Sequence, residues 1–241
     1  MTFTAELDSR PGHSQEEERL TVCFEDGRRE EMRLHEYGRV YAVPGLYEDV
    51  VQRQLACASP SELAGALAKE VEAEGSSLAD LTVLDIGAGN GVVGEELQQR
   101  GLTAPLIGLD NEPEAGLAAG RDRPGLYAHY LTGGLEDFSI DSLVEDHELN
   151  CLVGAGALGL GHISAAGFDE AWRAFPAGAW LSITAAEEVV SSEGGPLAEY
   201  VAALRRGEHD TEVRHLTRFR HRLRMSGEPI YYYVIVARRS S

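Results

Sequence analysis

From residue 81 onward, short apolar runs alternate with longer stretches of helix-forming composition. Apolar runs with little polar alternation are typical of strands that helices cover on both faces. Repeated strand–helix units predict a parallel, doubly wound sheet. The predicted strands are 81–86, 105–110, 127–131, 150–155 and 179–185, and the predicted helices are 91–100, 112–120, 168–175 and 196–206. The main fold class is therefore predicted to be α/β.

Both ends of the chain depart from this rhythm. Two β-rich runs, 215–225 and 230–238, flank a Ser-Gly-Glu-Pro turn and predict an antiparallel hairpin that closes one edge of the sheet. Near the N-terminus, two partly alternating segments flank Asp26 and Gly27, which predicts a further β-hairpin. The predicted division is a disordered acidic tail at 1–18, a hairpin with lid helices (46–56 and 61–74) at 19–75, and the main domain at 76–241.

Charge and composition argue against several classes of protein. The chain of 241 residues carries 40 acidic and 21 basic side chains, a formal net charge of −19, which disfavours binding to a phosphate backbone. No apolar run approaches the length that a membrane-spanning helix needs, and the polar N-terminus lacks the apolar core of a signal peptide. The 3 cysteines and the spaced histidines give neither a disulfide framework nor a metal-ligand pattern. We therefore expect a cytoplasmic protein without a bound metal.

The sequence VLDIGAGNGVVGEEL at 83–97 places a glycine-rich loop between a predicted strand and a predicted helix. Glycine permits positive φ and a close approach of the backbone to a ligand. Gly89, Gly91 and Gly94 match the G-x-G-x-x-G fingerprint of dinucleotide-binding proteins, but that pattern should begin where the strand ends, and in that register the match fails. A carboxylate at Asp85, beside the loop, would repel a pyrophosphate. It suits a cofactor that carries an ammonium group and a sulfonium charge.

This stretch resembles the first motif of class I S-adenosylmethionine-dependent methyltransferases. The next strand ends in Asp110, and the family uses an acidic residue at this place to bind the ribose hydroxyls. A helix cap is the alternative role for Asp110. The resemblance covers roughly residues 37–239 and is strongest at 83–115. The segments YAVPGLYEDVV, GALGLGHI and HRLRMSGEPIYYYVIVAR are also similar to bacterial methyltransferase-domain proteins of unassigned substrate.

The resemblance implies a Rossmann-like sheet of seven strands with an antiparallel C-terminal hairpin. It also implies S-adenosyl-L-methionine as cofactor, S-adenosyl-L-homocysteine as product, and a methyltransferase domain at 76–241. The residues expected to bind the cofactor are Tyr47, Asp85, Gly87, Ala88, Gly89, Gly91, Asp110, Asn111, Gly154 and Ala155. The sequence departs from the family at the end of the third strand. Gly134 stands there in place of the acidic residue that many members have near the adenine.

Two candidate catalytic residues follow the fourth and fifth strands. A general base is needed only when the acceptor carries a proton at neutral pH. His162 lies where an active-site loop is expected, and it could take that proton or make a structural hydrogen bond. Glu187 follows the fifth strand and could line the same crevice or begin a solvated helix.

Two further groups of residues allow a functional and a structural interpretation. The tyrosines that precede the glycine loop could cover the site, with Tyr47 touching the cofactor, or could pack in the core. Alternating arginines in the penultimate strand could bind an anionic acceptor, or could form a solvated sheet face that resists aggregation. These residues are Tyr37, Tyr41 and Tyr47, and Arg218, Arg220, Arg222 and Arg224.

The predicted function is methyl transfer from S-adenosylmethionine to a small or medium organic acceptor. The chain lacks the Asn/Asp-Pro-Pro-aromatic motif of members that methylate amide or adenine nitrogens, in agreement with its charge. Nucleic acid and membrane are not expected as partners, and a homodimer through the apolar run 231–236 is left open. The alternatives are a cyclase-like enzyme that binds the cofactor without methylating, a non-catalytic cofactor-binding module, and a nicotinamide-dependent dehydrogenase.

Overall fold

The N-terminal region is a three-stranded antiparallel sheet. The computed structural model describes residues 2–10, 12, 14–158, 163–191 and 195–240. The strands are β1 (Phe3–Leu7), β2 (Arg19–Phe24) and β3 (Arg29–Arg33). β2 and β3 form the hairpin predicted at Asp26 and Gly27. The prediction of a disordered tail at 1–18 is wrong, because β1 pairs along its length with β2 and its apolar side chains pack on the N-terminal core.

Three helical segments connect this sheet to the rest of the chain. They are α1 (Tyr37–Ala42), a π-helix (Glu48–Gln54) and α2 (Ser59–Ala73). The π-helix and α2 correspond to the two predicted helices, whereas α1 was not predicted. In the π-helix, the N–H of Leu55 donates to the carbonyl of Val50 at 2.9 Å, which is an i to i−5 bond. π-Helices are rare overall, but those that occur often lie at functional sites.

The main sheet has seven strands, as predicted. They are β4 (Val83–Ile86), β5 (Leu106–Asp110), β6 (Tyr127–Thr132), β7 (Cys151–Leu158), β8 (Trp180–Ala186), β9 (Thr211–Leu223) and β10 (Pro229–Arg239). Their order across the sheet is β6-β5-β4-β7-β8-β10-β9. β10 runs antiparallel to both of its neighbours, and the other adjacent strands are parallel. The predicted doubly wound sheet with an antiparallel C-terminal hairpin is confirmed.

The remaining helices follow the strands of this sheet. They are α3 (Val92–Gln99), α4 (Pro113–Asp122), α5 (Ile140–His147), α6 (Ala165–Arg173), α7 (Glu187–Ser191) and α8 (Pro196–Arg205). Four of them overlap the predicted helices, and α5 has no predicted counterpart. Within the described ranges, no helix has the length and apolarity required to span a bilayer.

The core lies on both faces of the main sheet. Leu84 and Ile86 belong to one apolar cluster and Val83 to another, because successive side chains of a strand point to opposite faces. All residues of β4 and β8 are buried, which explains why these strands are mostly apolar in sequence. The chain leaves β4 toward β5 on one side and returns to β7 on the other. In such sheets the ligand crevice lies beyond the carboxyl ends of the strands at this reversal.

Candidate active site

The loop between β4 and α3 has three glycines in the left-handed region. Gly87, Gly89 and Gly91 have φ of +63°, +56° and +92°, respectively. Other residues are strained in this conformation, so the loop needs glycine at these places. β4 ends at Ile86 and α3 begins at Val92. The G-x-G-x-x-G match therefore runs into the helix and does not span the turn, as expected from its register.

Asp110, the last residue of β5, connects the glycine loop to that strand. Its Oδ2 accepts the N–H of Gly89 at 2.9 Å, and its Oδ1 accepts the N–H of Glu112 at 2.9 Å. The second bond forms a turn ahead of α4, whose N-cap residue is Glu112, so Asp110 does not itself occupy the capping position that was its alternative role. Asp110 also lines a cavity, and an ionised carboxylate can accept several hydrogen bonds. These two backbone hydrogen bonds therefore do not prevent Asp110 from also binding a ligand.

Asp85 lies behind the loop and does not line the cavity. Its side chain is fully buried, and the hydroxyl of Tyr127 donates to Oδ2 at 2.8 Å. Oδ1 has no hydrogen-bond partner among the described residues. Burial, together with the charge of Asp110, raises the pKa of Asp85 from 3.8 to about 7, against the opposing effect of the Tyr127 hydrogen bond. The direct contact with an ammonium group expected for Asp85 is not supported by this placement.

Arg123 clamps the glycine loop to the π-helix. Its Nη1 donates to Oε1 of Glu48 and to the carbonyl oxygen of Asn90, both at 3.0 Å. Its Nη2 lies 2.9 Å from Oε2 of Glu95 in α3. The side-chain amide of Asn90 donates to Glu48 as well. One guanidinium thus fixes the loop, the π-helix and the start of α3 in a single arrangement.

Tyrosine rings pack directly above the glycine loop. The Tyr41 ring lies 6.1 Å from that of Tyr37 and 5.0 Å from that of Tyr47, centroid to centroid. A Cβ placed on Gly89 would be 2.5 Å from the Tyr41 hydroxyl oxygen. The Tyr130 hydroxyl donates to the carbonyl oxygen of Gly89 at 2.6 Å. Burial raises the pKa of Tyr41 and of Tyr47 well above 10, so both rings are neutral at physiological pH.

A partly open cavity of about 560 Å³ begins at the glycine loop. Gly87 and Asp110 line one end of the cavity, and Arg222 and Tyr232 line the other end. Tyr37 lines the cavity between these two ends. The volume is within the range typical of small-molecule sites. The cavity therefore joins the carboxyl edge of the main sheet to the underside of the N-terminal sheet.

The residues predicted to bind the cofactor fall into two sets. Those that line the cavity are Tyr47, Gly87, Asp110, Asn111 and Ala155. Those that lie behind its wall are Asp85, Ala88, Gly89, Gly91 and Gly154. Gly134, which follows β6, also lines the cavity, together with Gly133 and Glu136. Half of the predicted residues thus line the cavity, and three of the others, Ala88, Gly89 and Gly91, belong to the glycine loop behind it.

The two predicted catalytic residues have different outcomes. His162 lies outside the described residues. Both carboxylate oxygens of Glu187 accept hydrogen bonds from Arg218, at 2.6 and 3.0 Å. This ion pair lowers the pKa of Glu187, and the side chain does not line the cavity. A carboxylate held in this way is a poor general base, so the structure argues against the predicted role.

At the far end of the cavity, sequence reasoning named Arg222 only as one of four alternating arginines, and it missed the roles of Glu18, His221 and Tyr232. The alternation of the arginines in β9 predicts one solvated face, but Arg222 is only 3% exposed. The pairing of β9 with β10 shifts register between Tyr231 and Ile230, and this bulge turns Arg222 inward. There it pairs with Glu18, from the segment predicted to be disordered. Beside it, the His221 ring stacks on Tyr232 with centroids 4.0 Å apart.

Comparisons with known proteins identify the fold. No protein-family model and no curated protein sequence matches the chain. Magnesium protoporphyrin IX methyltransferase (ChlM) from Synechocystis PCC 6803, solved with bound SAM, is similar with a TM-score of 0.52 and 16% identity, over 75% of this chain and 79% of that chain. The plantazolicin methyltransferase BamL, in complex with a triazolic desmethylPZN analog and SAH, gives a TM-score of 0.52 at 10% identity, over 85% of this chain and 95% of that chain. A candidate RNA methyltransferase from Pyrococcus horikoshii gives 0.54 at 14%, over 74% and 83%.

At these identities the similarity establishes the fold alone. The chain has the fold of the class I methyltransferases, and the predicted resemblance is confirmed at that level.

Proposed function

We propose that this protein transfers a methyl group from S-adenosylmethionine to a small or medium organic acceptor. The observation that carries the proposal is the shape of the site. The glycine loop and Asp110 meet at one end of a cavity, and the cavity continues past them toward the N-terminal sheet. One end suits a cofactor and the other end leaves room for an acceptor. Two proteins of the same fold were solved with SAM or SAH bound.

The residues at the first end fit the cofactor chemically. The Asp110 carboxylate accepts hydrogen bonds and would hold the ribose hydroxyls. The exposed backbone of Gly87 would contact the amino-acid end of the cofactor. The segment that follows β6 contributes Gly133, Gly134 and the apolar Leu135 to the cavity wall. Without a Cβ at its first two positions, this wall would admit a flat adenine ring.

The tyrosines fit the positive charge of a sulfonium. Cations are attracted to aromatic faces by the ring quadrupole. Tyr37, Tyr41 and Tyr47 line the cavity above the loop and are kept in the neutral form by burial. The formal charge of −19 on the chain adds a favourable field.

In the proposed mechanism this chain contributes mainly alignment. The bound cofactor supplies an electrophilic methyl group. Arg123 holds the loop rigid, the tyrosines exclude water from the cavity, and the cavity walls hold the acceptor in line. Alignment of reactants can supply several kcal/mol of rate enhancement. With Glu187 paired to Arg218, the proposal assigns no dedicated base in the described part of the chain.

The size of the cavity and the charge of the chain favour a small acceptor over RNA. An RNA acceptor needs an open, basic surface for its phosphates, whereas this site is a cavity of about 560 Å³ in a chain of net charge −19. The cofactor would occupy part of that volume. The acceptor is therefore proposed to have the size of a single small organic molecule.

Turnover tests the proposal directly. The protein is incubated with S-adenosylmethionine and a panel of phenols, amines, thiols and carbon acids, and release of S-adenosylhomocysteine is followed by mass spectrometry. Release that depends on one acceptor class, and that is lost in Asp110→Ala but kept in the exposed control Asp146→Asn, supports methyl transfer. Tight binding of the cofactor with no release across the panel contradicts it, and favours a non-methylating enzyme or a binding module of the same fold.

A further inference from the structure

We propose that the Glu18–Arg222 ion pair makes the far end of the cavity select uncharged acceptors over carboxylates and phosphates. This inference rests on the proposed function, since it names the class of acceptor for the same site. It is drawn from contacts that the sequence motifs do not predict.

Arg222 lines the cavity, but its guanidinium is already paired with a carboxylate of the protein. Its Nη2 donates to Oε2 of Glu18 at 2.6 Å, and its Nη1 donates to the carbonyl oxygen of Leu223 at 2.9 Å. Glu18 is also held, because its Oε1 accepts the N–H of Met225 at 2.8 Å. Both side chains are nearly inaccessible, 4% and 3% exposed. An arginine alone at this place would bind an acceptor carboxylate, but here the protein supplies the carboxylate itself.

The remaining charge of the cavity is negative. Asp110 and Glu136 are the other Asp, Glu, Lys or Arg side chains in the described part of its lining. An anionic acceptor entering the cavity would lose its hydration, and in the described part of the chain Arg222 already has Glu18 as its partner. Burying a charge without a partner is strongly unfavourable. A neutral acceptor does not carry this penalty.

The groups beside the ion pair are suited to a neutral, partly aromatic molecule. His221 lines the cavity, and its Nδ1 is 2.6 Å from the hydroxyl oxygen of Ser59. Burial and the charge of Arg222 lower the pKa of His221 to about 3, so its ring is neutral. Tyr232 stacks against that ring and Tyr37 lines the cavity nearby. Together they offer ring faces and neutral hydrogen-bonding groups.

Matched probes of equal size and different charge test the proposal. Binding of 4-hydroxybenzamide, 4-hydroxybenzoate and 4-hydroxybenzamidine is measured by ligand-observed NMR titration, without cofactor. The wild type is expected to bind the amide at least about tenfold more tightly than the benzoate. Glu18→Gln leaves Arg222 unpaired, so the amide-to-benzoate ratio should fall by about tenfold or more. Benzoate should then raise the melting temperature of this variant and not that of the wild type.

A second variant keeps the test valid if Glu18→Gln does not fold. Arg222→Gln leaves the carboxylate of Glu18 unpaired, so this variant should gain binding of the benzamidine and not of the benzoate. The matched control is Glu31→Gln, which removes the exposed Arg19–Glu31 pair of the same sheet and should leave all preferences unchanged.

The outcomes separate this inference from the proposed function. Equal binding of amide and benzoate by the wild type, unchanged ratios in both variants, or no binding of any probe would overturn the charge selection. Failure of the proposed function is read separately, by calorimetric titration with S-adenosylhomocysteine. Loss of cofactor binding with the probe preference intact would overturn only the methyltransferase assignment.

Discussion

Replacement of Asp85 by asparagine should stabilise the protein at alkaline pH. The folded state raises the pKa of this buried carboxyl from 3.8 to about 7. The fold therefore favours the neutral form, and ionisation of Asp85 opposes folding. The penalty is absent below pH 3.8, grows as the pH rises, and is complete above about pH 7. At roughly 1.4 kcal/mol per pKa unit it reaches about 4 kcal/mol, of which about 2 kcal/mol develops between pH 5.5 and pH 8.

Urea unfolding followed by circular dichroism measures this effect. The free energy of unfolding of Asp85→Asn, minus that of the wild type, should increase by about 2 kcal/mol from pH 5.5 to pH 8. The exposed control Asp146→Asn should show no such increase. Because Asp85 does not line the cavity, the affinity of Asp85→Asn for S-adenosylhomocysteine should stay within about threefold of wild type. A difference that does not change with pH would refute the buried, neutral carboxyl. A loss of affinity beyond about tenfold would restore a direct contact between Asp85 and the cofactor.

Three further substitutions test the loop and its surroundings. Gly89→Ala should abolish cofactor binding in calorimetry, because residue 89 has a backbone φ of +56° and its new Cβ would lie 2.5 Å from the Tyr41 hydroxyl oxygen. Binding at wild-type affinity would contradict the tight packing above the loop. Arg123→Met should weaken cofactor binding by about tenfold with a smaller change in melting temperature, as expected when a clamp on the loop is lost; unchanged affinity would show that the clamp is not needed. Glu187→Gln should leave turnover within about threefold of wild type, since Arg218 occupies the carboxylate; a hundredfold loss of turnover would reinstate Glu187 as a base.

The main sheet could be predicted because its central strands are buried on both sides. All residues of β8 are buried, and its sequence WLSITAA is accordingly apolar except for Ser182 and Thr184. The N-terminal strand β1 was missed because it is short and only half-buried. Its residues Phe3, Ala5 and Leu7 alternate with polar residues, which is a strand signal. The polar segment that follows it obscured this signal, since low hydrophobicity with high charge is also typical of disorder.

The glycine-loop end of the cavity was accessible to sequence reasoning, and the arrangement around Arg222 was not. The glycine loop and Asp110 are local features at strand ends, so their positions follow from the strand boundaries. The Glu18–Arg222 pair joins residues 204 apart in sequence, and no local pattern links them. The inward turn of Arg222 depends on a β-bulge, which interrupts the alternation on which the prediction relied. Tyr127 was missed as well. Its hydroxyl donates to the buried carboxylate of Asp85, which sequence reasoning expected to face a ligand.

Calorimetric titration with S-adenosylmethionine and S-adenosylhomocysteine, with Asp110→Ala beside the wild type, tests the proposed cofactor site most directly. We predict micromolar binding of both ligands, weakened by about tenfold or more in the variant, which corresponds to roughly 1.4 kcal/mol. Asp146→Asn, with an exposed carboxylate remote in sequence from the loop, should bind as the wild type does. The absence of binding to either ligand, or binding of NADH in their place, would contradict a methyltransferase site built on this loop.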